Sequence, residues 1–350
     1  MIFRQLFDPV SSTYTYLLAA HPGGEALIID PVIEAVESYA EILGELDLRL
    51  VKALDTHLHA DHVSGLGALR DRFNCITVMG AESTVDTVSM RVQDGDAIDI
   101  EGLELLAMYT PGHTDDSYCY ALPDRVFTGD TLLIGGSGRT DFQGGNAALQ
   151  YHSIFGKLLH LADDTLVFPG HDYNGRTVST IAEERRQNPR LQVHSIEDYV
   201  ALMDNLDLPD PKLMDTAVPA NRSIGMGQQA GDRGLGVDDA LILRSSTGVV
   251  LVDLREDGER ALDGVIPDSL PVPYGGLARR LGPGGDLGEL LAHEGRRVVF
   301  YCSYGERSAL AVKMARECGF GAAYHIMGGM ASWKGAEAPV IGAGGEEEGS

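Results

Sequence analysis

A glycine-rich stretch at residues 223–236 divides this chain into two segments, each with its own pattern of apolar runs. Five of its 14 residues are glycine and few are apolar, which is typical of a flexible linker. A chain of 350 residues is also long enough for about two domains. We therefore expect one domain over residues 1–222, a linker over residues 223–236 and a second domain over residues 237–338. Residues 339–350 end in a run of Gly and Glu, and we expect them to form a disordered acidic tail.

Short apolar runs alternate with amphipathic stretches in the first segment. Residues 14–20 and 26–32 favour two strands joined by a Pro-Gly-Gly turn, and residues 35–46 have the apolar spacing of a helix. After the glycine-rich stretch, residues 249–254 and 296–301 again favour buried strands. Further strands are expected at residues 50–54, 76–79, 103–109, 117–122, 126–128 and 165–168, and further helices at residues 150–161, 175–187, 196–206 and 308–317. Strands mixed with helices predict an α/β fold, and the many early strands favour a sandwich in the first segment.

The charge balance and the cysteine content argue against nucleic-acid, membrane and secreted classes. The 27 Lys and Arg residues against 52 Asp and Glu give a formal charge of −25. Such a chain disfavours nucleic acid and anionic membranes as partners, because both are bound by clustered cations. No apolar run is long enough to span a bilayer, and no secretory signal is visible. Four cysteines are too few for a disulfide framework, so we expect a reducing compartment, the cytoplasm.

The densest chemical signal is a group of four metal-binding side chains within six positions, directly after the predicted strand at residues 50–54. The group consists of His57, His59, Asp61 and His62. Burying these polar groups together without a cation would leave them unpaired, which is costly. We therefore interpret the group as part of a metal site rather than as structural histidines.

Three more such side chains follow predicted strands further along the first segment. His113 lies in a Thr-Pro-Gly-His turn, Asp130 in Thr-Gly-Asp and His171 in Phe-Pro-Gly-His. Side chains that follow successive strand ends meet at one edge of a sheet. The sequence therefore predicts that both groups belong to one metal centre.

The order H-x-H-x-D-H, followed by His, Asp and His, resembles the metallo-β-lactamase superfamily. Within that superfamily, the segments at residues 138–144, 171–180 and 217–221 resemble the persulfide dioxygenases. The resemblance covers about residues 1–222 and implies an αββα sandwich.

The resemblance also implies a metal and the residues around it. It implies one Fe(II) per chain with three open coordination positions, held by His57, His113 and Asp130. It assigns hydrogen bonds around that metal to His59, Asp61, His62 and His171. Residue spacing alone decides neither iron against zinc nor one metal against two.

The same resemblance implies oxidation of glutathione persulfide by O₂ to sulfite and glutathione. Because the chain is strongly acidic, an anionic substrate needs local cations. Arg139, and more weakly Arg176, lie in the family-like segments and are expected to pair with its carboxylates. Tyr173, two residues after His171, is expected to hydrogen-bond the glutathione peptide.

A second chemical signal lies after the glycine-rich stretch. Cys302 follows the predicted strand at residues 296–301, and a short loop with Gly305 and Arg307 leads into a predicted helix. Backbone N–H groups and the helix dipole in such a loop favour an anion and stabilise a thiolate. Cys302 is therefore a candidate nucleophile. The other cysteines are expected to be small core residues: Cys75, Cys119 and Cys318.

Three further segments complete a resemblance to the rhodaneses over about residues 237–336. These segments are residues 251–256, 264–268 and 327–333. The resemblance implies a rhodanese-like α/β domain in which Cys302 takes sulfane sulfur from thiosulfate as a persulfide. Arg307 and the loop amides are expected to stabilise the anion. The other loop residues are Ser303, Tyr304, Gly305, Glu306 and Ser308.

The two sites together predict a bifunctional enzyme that couples sulfur transfer between thiosulfate and glutathione to persulfide oxidation. The direction of sulfur flow stays open, as does the choice of glutathione or coenzyme A persulfide. One alternative is a dizinc glutathione-thioester hydrolase of the glyoxalase II type, which shares the fold. Another is a non-enzymatic sulfane-sulfur carrier loaded at Cys302, with a structural metal. The oligomeric state is also open, with a homodimer as one candidate.

Overall fold

Two six-stranded sheets form the centre of the first unit in the computed structural model of this chain. The structure describes residues 1–85, 88–173, 175–206, 214–222, 233–293 and 296–342. The first sheet contains, in chain order and in spatial order, β1 (Ile2–Asp8), β2 (Thr13–Ala19), β3 (Glu25–Ile29), β4 (Arg49–Leu54), β5 (Ile76–Gly80) and β6 (Met90–Val92). The second sheet contains β7 (Ala97–Ile100), β8 (Leu103–Tyr109), β9 (Tyr118–Leu122), β10 (Arg125–Gly129), β11 (Leu166–Pro169) and β12 (Ser179–Thr180), which are also neighbours in this order.

The two sheets face each other through aromatic side chains. The ring centroids of Phe3 in β1 and Phe168 in β11 are 4.8 Å apart, and those of Tyr16 in β2 and Phe127 in β10 are 4.9 Å apart. Every residue of β2 is buried, as expected for a strand that is covered on both faces. Burial of these side chains is the main favourable contribution to the stability of the sandwich.

Helices cover the sheets, so the predicted α/β sandwich is confirmed. Ile154 and Tyr199, from two helices, are fully buried in one apolar cluster with Val126 of β10. On the first sheet, the hydroxyl of Tyr39 lies 2.9 Å from Thr15 Oγ1 of β2. The helices of this unit are α1 (Val36–Glu45), α2 (Leu66–Phe73), α3 (Ala147–Gly156), α4 (Ile181–Gln187), α5 (Ile196–Asp204) and α6 (Met214–Arg222).

A parallel sheet of five strands forms the second unit. Its strands are β13 (Gly234–Leu235), β14 (Val249–Asp253), β15 (Leu270–Pro271), β16 (Arg297–Tyr301) and β17 (Ala323–Ile326), in the spatial order β13-β17-β16-β14-β15. Its helices are α7 (Val237–Arg244), α8 (Asp257–Asp263), α9 (Leu277–Leu281), α10 (Asp286–Leu291), α11 (Glu306–Glu317) and α12 (Gly329–Gly335). Trp333, Ile266 and Tyr301 are buried in its apolar core. Within the part of the chain that the structure describes, no helix has the length and apolar character that a membrane span needs.

Two predicted helices begin at different residues than expected. The helix predicted at residues 175–187 begins only at Ile181, because the Thr180 hydroxyl accepts the N–H of Glu183 at 3.1 Å and caps α4. The helix predicted at residues 150–161 begins earlier, because Asn146 caps α3 in the same way. Polar caps therefore set both boundaries, rather than the apolar spacing.

The predicted linker and tail lie largely outside the described residues. At the end of the predicted linker, β13 pairs with β17, so Gly234 and Leu235 belong to the second sheet and not to a flexible linker. At the start of the predicted tail, Ile341 pairs with Val265. The indole N–H of Trp333 also donates to the Pro339 carbonyl at 2.9 Å. Backbone hydrogen bonds to the second unit therefore order these flanking residues.

Candidate functional sites

Three side chains of the predicted metal centre meet at the ends of their strands. His57 follows β4, His113 lies in the turn after β8, and Asp130 follows β10. One ligand atom from each lies within 4.8 Å of those from the other two. Both histidines are buried, and 12% of the Asp130 side chain is exposed. Two imidazoles and one carboxylate at this spacing can hold a divalent cation and leave further coordination positions open.

Hydrogen bonds fix the orientation of both imidazoles. His113 Nδ1 lies 2.8 Å from the Arg139 carbonyl oxygen, which can only accept, so Nδ1 carries the proton. His57 Nδ1 lies 2.9 Å from Thr56 Oγ1, whose hydroxyl already donates to Asp30 Oδ2. Burial lowers the pKa of His57 well below its usual value, so this ring is neutral. Each ring therefore keeps its Nε2 lone pair for a metal.

Glycines allow the backbone to approach these ligands closely. A Cβ on Gly138 would lie 2.7 Å from His113 Nδ1, and a Cβ on Gly170 would lie 2.7 Å from Asp130 Oδ1. Both distances are well inside van der Waals contact. Any larger residue at either position would therefore displace a candidate ligand.

His171 bridges two carboxylates of the centre. Its Nδ1 lies 2.7 Å from Asp130 Oδ1, and its Nε2 lies 2.8 Å from Asp61 Oδ2. Although burial opposes the charge, these carboxylates raise the pKa of His171 well above its usual value. Both ring nitrogens then donate, so neither offers a lone pair. In this arrangement His171 hydrogen-bonds to a candidate ligand and is not itself one.

His59, Asp61 and His62 form a second group whose ligand atoms lie within 4.8 Å of one another. Asp61 Oδ2 already accepts from His171, from His62 Nδ1 at 2.9 Å and from Thr13 Oγ1 at 3.0 Å. The buried His59 Nδ1 and His62 Nε2, however, have no hydrogen-bond partner among the described residues. Although burial opposes the charge, Asp30, Asp55 and Asp61 raise the pKa of His59 to about 9, so a second cation would have to displace a proton from that ring. The spacing of the ligand atoms itself accommodates one metal or two.

Two residues that support this cluster were not predicted as site residues. Asp30 Oδ1 lies 3.2 Å from His59 Nε2 and accepts the Thr56 N–H at 2.6 Å. The Asn221 amide donates to the carbonyl oxygens of His59 and His62, at 3.0 and 2.8 Å. Asp30 directly follows β3, as the predicted ligands follow their strands, and that position was the available signal. Asn221 lies in one of the family-like segments.

The two arginines expected to bind substrate are paired with acidic side chains of the chain itself. Arg139 makes two hydrogen bonds of 2.6 Å with Asp141, and its guanidinium lies 4.4 Å from the ring centroid of Phe142. Arg176 donates to Glu183 at 2.5 Å. A substrate carboxylate would therefore have to displace or share these partners.

Tyr173 lies beside the metal centre with its side chain exposed. Its ring is parallel to that of His171, with the centroids 5.8 Å apart, and 70% of the residue is exposed. The hydroxyl can therefore reach a ligand that approaches His171 from solvent.

Cys302 follows β16 in the loop that leads into α11. The Gly305 N–H donates to Cys302 Sγ at 3.1 Å, and Gly305 has a φ of +99° at the N-cap of α11. A Cβ on Gly305 would lie 2.8 Å from the Gly328 nitrogen, so glycine is required there. Ser308 Oγ lies 3.8 Å from Sγ. Cys302 is fully buried, and the loop offers its sulfur a backbone donor and a helix N-terminus.

Arg307 is paired with a residue that was not predicted from the sequence. Its fully buried guanidinium donates to Glu259 of α8 at 2.6 and 2.8 Å, and Ser303 Oγ donates to the same carboxylate at 2.6 Å. In the rest of the loop, Tyr304 is 43% exposed and Glu306 is buried. Glu259 lies between two of the family-like segments, and its only local signal was an acidic residue in the first turn of a helix.

The expectation for the other three cysteines is correct for two of them. Cys75 and Cys119 are buried, whereas Cys318 is exposed. Cys318 directly follows the last residue of α11, where the chain leaves the helix at the surface. The prediction that Cys318 is a core residue was therefore wrong.

The fold and the two sites define a two-part class: a metallo-β-lactamase domain followed by a rhodanese-like domain. Residues 8–171 match the metallo-beta-lactamase superfamily, and residues 237–336 match the rhodanese-like domain. The first match contains both groups of candidate metal ligands, and the second contains Cys302 and Arg307.

This chain belongs to the persulfide dioxygenase family. It is 45% identical over 233 residues to the mitochondrial persulfide dioxygenase ETHE1 of Homo sapiens, a match that covers 65% of this chain and 89% of that protein. The crystal structure of ETHE1 from Myxococcus xanthus is 51% identical with a TM-score of 0.63, and the match covers 65% of this chain and 100% of that one. A metallo-beta-lactamase from Staphylococcus aureus is 23% identical with a TM-score of 0.60 over 93% of this chain and 98% of its own, which shows a shared fold.

Proposed function

We propose that the first unit is an Fe(II)-dependent dioxygenase that oxidises glutathione persulfide with O₂ to sulfite and glutathione. The observation that carries the proposal is the buried set of His57, His113 and Asp130, in which hydrogen bonds leave both Nε2 atoms for a metal. Two histidines and one carboxylate are the donor set of non-haem Fe(II) oxygenases. A relative over this unit is named as a persulfide dioxygenase, and activation of O₂ needs a redox-active metal, which supports iron over zinc.

The proposed reaction is R-S-SH + O₂ + H₂O → R-SH + SO₃²⁻ + 2H⁺. Bound iron would supply open coordination positions for the persulfide sulfur and O₂ together. The residues of the chain orient the ligands: His171 holds Asp130 through Oδ1 and is itself held by Asp61. His171 is buried, which lowers the local dielectric and strengthens its charged contacts with both carboxylates.

Glutathione is the proposed carrier of the persulfide, with Tyr173, Arg139 and Arg176 as its contacts. Arg139 and Arg176 form ion pairs with Asp141 and Glu183 at the surface. The single hydrogen bond of the more exposed Arg176 with Glu183 is weak, so a substrate carboxylate can replace Glu183 with little loss. The bidentate pair of Arg139 with Asp141 is stronger and would have to be shared or broken. The exposed Tyr173 hydroxyl is available to the peptide of the carrier.

We propose that the second unit is a thiosulfate sulfurtransferase. The Cys302 thiolate attacks the outer sulfur of thiosulfate, the S–S bond breaks, and sulfite leaves with the bonding electron pair. The thiolate of glutathione then attacks the outer sulfur of the Cys302 persulfide, which forms glutathione persulfide and restores the Cys302 thiolate. The Gly305 N–H supports the proposal because it donates to the sulfur that carries the negative charge. Transfer in the reverse direction, with sulfite as the acceptor, follows the same steps.

Metal content and oxygen consumption, measured on the same preparation, test the dioxygenase. Anaerobically purified full-length protein should contain about one iron per chain and consume O₂ with glutathione persulfide. Asp130→Asn should lose the iron and the O₂ uptake. Asp124→Asn is the matched control, because Asp124 is an exposed acid outside the site and its loss should change neither. A dizinc protein that leaves O₂ untouched would contradict the proposal.

A dizinc thioester hydrolase of the glyoxalase II type is the second candidate. His59 Nδ1 and His62 Nε2 favour it, because they have no hydrogen-bond partner in the described part of the chain and can bind a second cation once His59 loses its proton. Two zinc ions per chain together with hydrolysis of S-lactoylglutathione would support it. A protein that binds metal and loads sulfur on Cys302, but neither consumes O₂ nor hydrolyses thioesters, would instead be a sulfane-sulfur carrier.

We also propose a cytoplasmic location, while the oligomeric state stays open between a monomer and a homodimer. A reducing compartment keeps the Cys302 thiol free for sulfur transfer, and the structure contains four free cysteines. The human relative is named as mitochondrial, so cell fractionation is the direct measurement. Sedimentation at micromolar concentration would distinguish a dimer from a monomer.

A further inference from the structure

A carboxylate on a neighbouring helix holds two side chains of the Cys302 loop. Glu259 Oε1 accepts from Arg307 Nη2 and from Ser303 Oγ, both at 2.6 Å, while Oε2 accepts from Arg307 Nη1 at 2.8 Å. The Arg307 side chain is fully buried, and 13% of the Glu259 side chain is exposed. Bidentate pairs of this kind have a specific geometry and are among the stronger charged contacts in proteins.

Glu259 is also held by its own helix. Glu256 is the N-cap of α8, and its N–H donates to Glu259 Oε2 at 2.9 Å. The Glu256 side chain accepts the N–H of Glu259 in return, which completes a capping box. The Glu259 carboxylate thus joins the start of α8 to the loop before α11, and both of its oxygens are fixed before any substrate arrives.

We propose that Glu259 is a positioning residue of the Cys302 site that acts through Arg307. Its hydrogen bonds fix the loop, and its negative charge offsets the positive charge of the guanidinium. The Cys302 sulfur therefore lies in the electrostatic field of an ion pair and not in that of an unpaired cation. Its functional meaning rests on the proposed sulfur transfer at Cys302. The charge of the sulfur, however, can be measured without any sulfur substrate.

The ion pair is fully charged at neutral pH. Burial opposes ionisation of both partners, but their attraction lowers the pKa of Glu259 to about 2 and raises the pKa of Arg307. Negative charge on Cys302 also raises the pKa of Arg307, so the guanidinium and the sulfur interact electrostatically. Removing one charge of the pair must therefore change the stability of the thiolate, and the sign depends on which charge is removed.

The test is a pH titration of the ultraviolet thiolate absorbance of the full-length protein, taken as the difference from Cys302→Ser. Glu259→Gln leaves Arg307 uncompensated and should shift the Cys302 titration to lower pH. We expect a shift of about 0.5–1 unit, or about three- to tenfold more thiolate below the midpoint. Arg307→Gln leaves Glu259 uncompensated and should shift the titration to higher pH.

Other titratable groups near the sulfur are the same in every variant. Glu306 of α11 is buried in the loop, and His325 of β17 has its Nδ1 3.4 Å from Ser308 Oγ. Asp263→Asn is the matched control, since Asp263 lies on α8 but pairs with Lys334 at the surface and is 39% exposed. This control should leave the titration unchanged.

Opposite shifts support the proposal, whereas shifts of the same sign, or none, overturn it, because a purely structural residue would loosen the loop in either variant. If Glu259→Gln does not fold, Arg307→Gln alone must still shift the titration to higher pH, and a shift to lower pH would overturn the proposal. Failure of the unmodified protein to transfer sulfur, together with opposite shifts, would refute the sulfurtransferase but keep the role of Glu259. Normal sulfur transfer without opposite shifts would refute only the role of Glu259.

Discussion

At the scale of single residues, both ring nitrogens of His171 form hydrogen bonds to carboxylates instead of contacting a metal. It lies between Asp130 and Asp61, and both carboxylates raise its pKa. An imidazolium in this position offsets the negative charge of the two carboxylates and restricts the rotation of the Asp130 side chain.

Replacing His171 with Gln should weaken the metal site. The variant loses one of the two donors that orient Asp130, and changes of this kind lower metal affinity by about 10- to 100-fold. Competition for Fe(II) with a chromophoric chelator measures the loss. His194→Gln, at an exposed position, is the control. Unchanged affinity in His171→Gln would mean that Asp130 is held by other contacts.

At the scale of elements, the site is built from turns that follow strands. β4, β8 and β10 each end just before a candidate ligand, and glycines in nearby turns permit the close approach of backbone and ligand. The sheets therefore set the distances between the candidate ligands, and the glycines allow the backbone to lie close to them.

Gly138→Ala should disturb His113 directly. The added methyl group would overlap the imidazole, and overpacking of this kind costs about 1–3 kcal/mol of the free energy of unfolding. The denaturant concentration at the midpoint of unfolding and the iron content should both fall. Gly44→Ala on α1 meets no atom within 4 Å and should stabilise the fold by about 0.5–1 kcal/mol. Equal effects of the two substitutions would contradict this account.

Local patterns predicted much of the site, and the residues that were missed depend on distant partners. The turns with His113, Asp130 and His171 could be recognised because each follows an apolar strand within a few residues. Glu259 could not, since its partner Arg307 is 48 positions away and nothing local to either indicates the pair. The paired state of Arg139 was missed for a different reason: its acidic partner Asp141 was visible, but an arginine near a site suggests a free cation.

At the scale of the whole molecule, the two proposed activities use residues of different units. The candidate metal ligands all lie before residue 172, whereas Cys302 and its loop belong to the second unit. Each site contains its own donors and its own glycine turn, so each should react without the other.

Cys302→Ser should abolish sulfur transfer from thiosulfate and leave O₂ uptake with glutathione persulfide unchanged. The reason is that the candidate metal ligands do not include any residue of the Cys302 loop. A sulfite assay with thiosulfate in the absence of O₂ measures the transfer, and an oxygen electrode measures the oxidation, both on one preparation. Loss of both activities in a folded variant would contradict separate sites.

Ionic strength should affect the oxidation of an anionic persulfide. The chain has a formal charge of −25, which repels the substrate at low salt. As the Debye length falls from about 30 Å at 0.01 M to about 8 Å at 0.15 M, the KM for glutathione persulfide should fall about two- to threefold. A KM that rises with salt would instead show that cations such as Arg139 dominate the local field.

The full burial of Cys302 has a consequence for the stability of the persulfide that it is proposed to carry. A thiolate at the surface is open to peroxide, which converts it first to a sulfenic acid that thiols can reduce and then to sulfinic and sulfonic acids that they cannot. The buried sulfur of Cys302 is shielded from such oxidants. Burial should therefore protect the proposed Cys302 persulfide between turnovers, at the expense of a slower reaction with thiosulfate. The resting protein should survive oxidative stress that inactivates an exposed thiol.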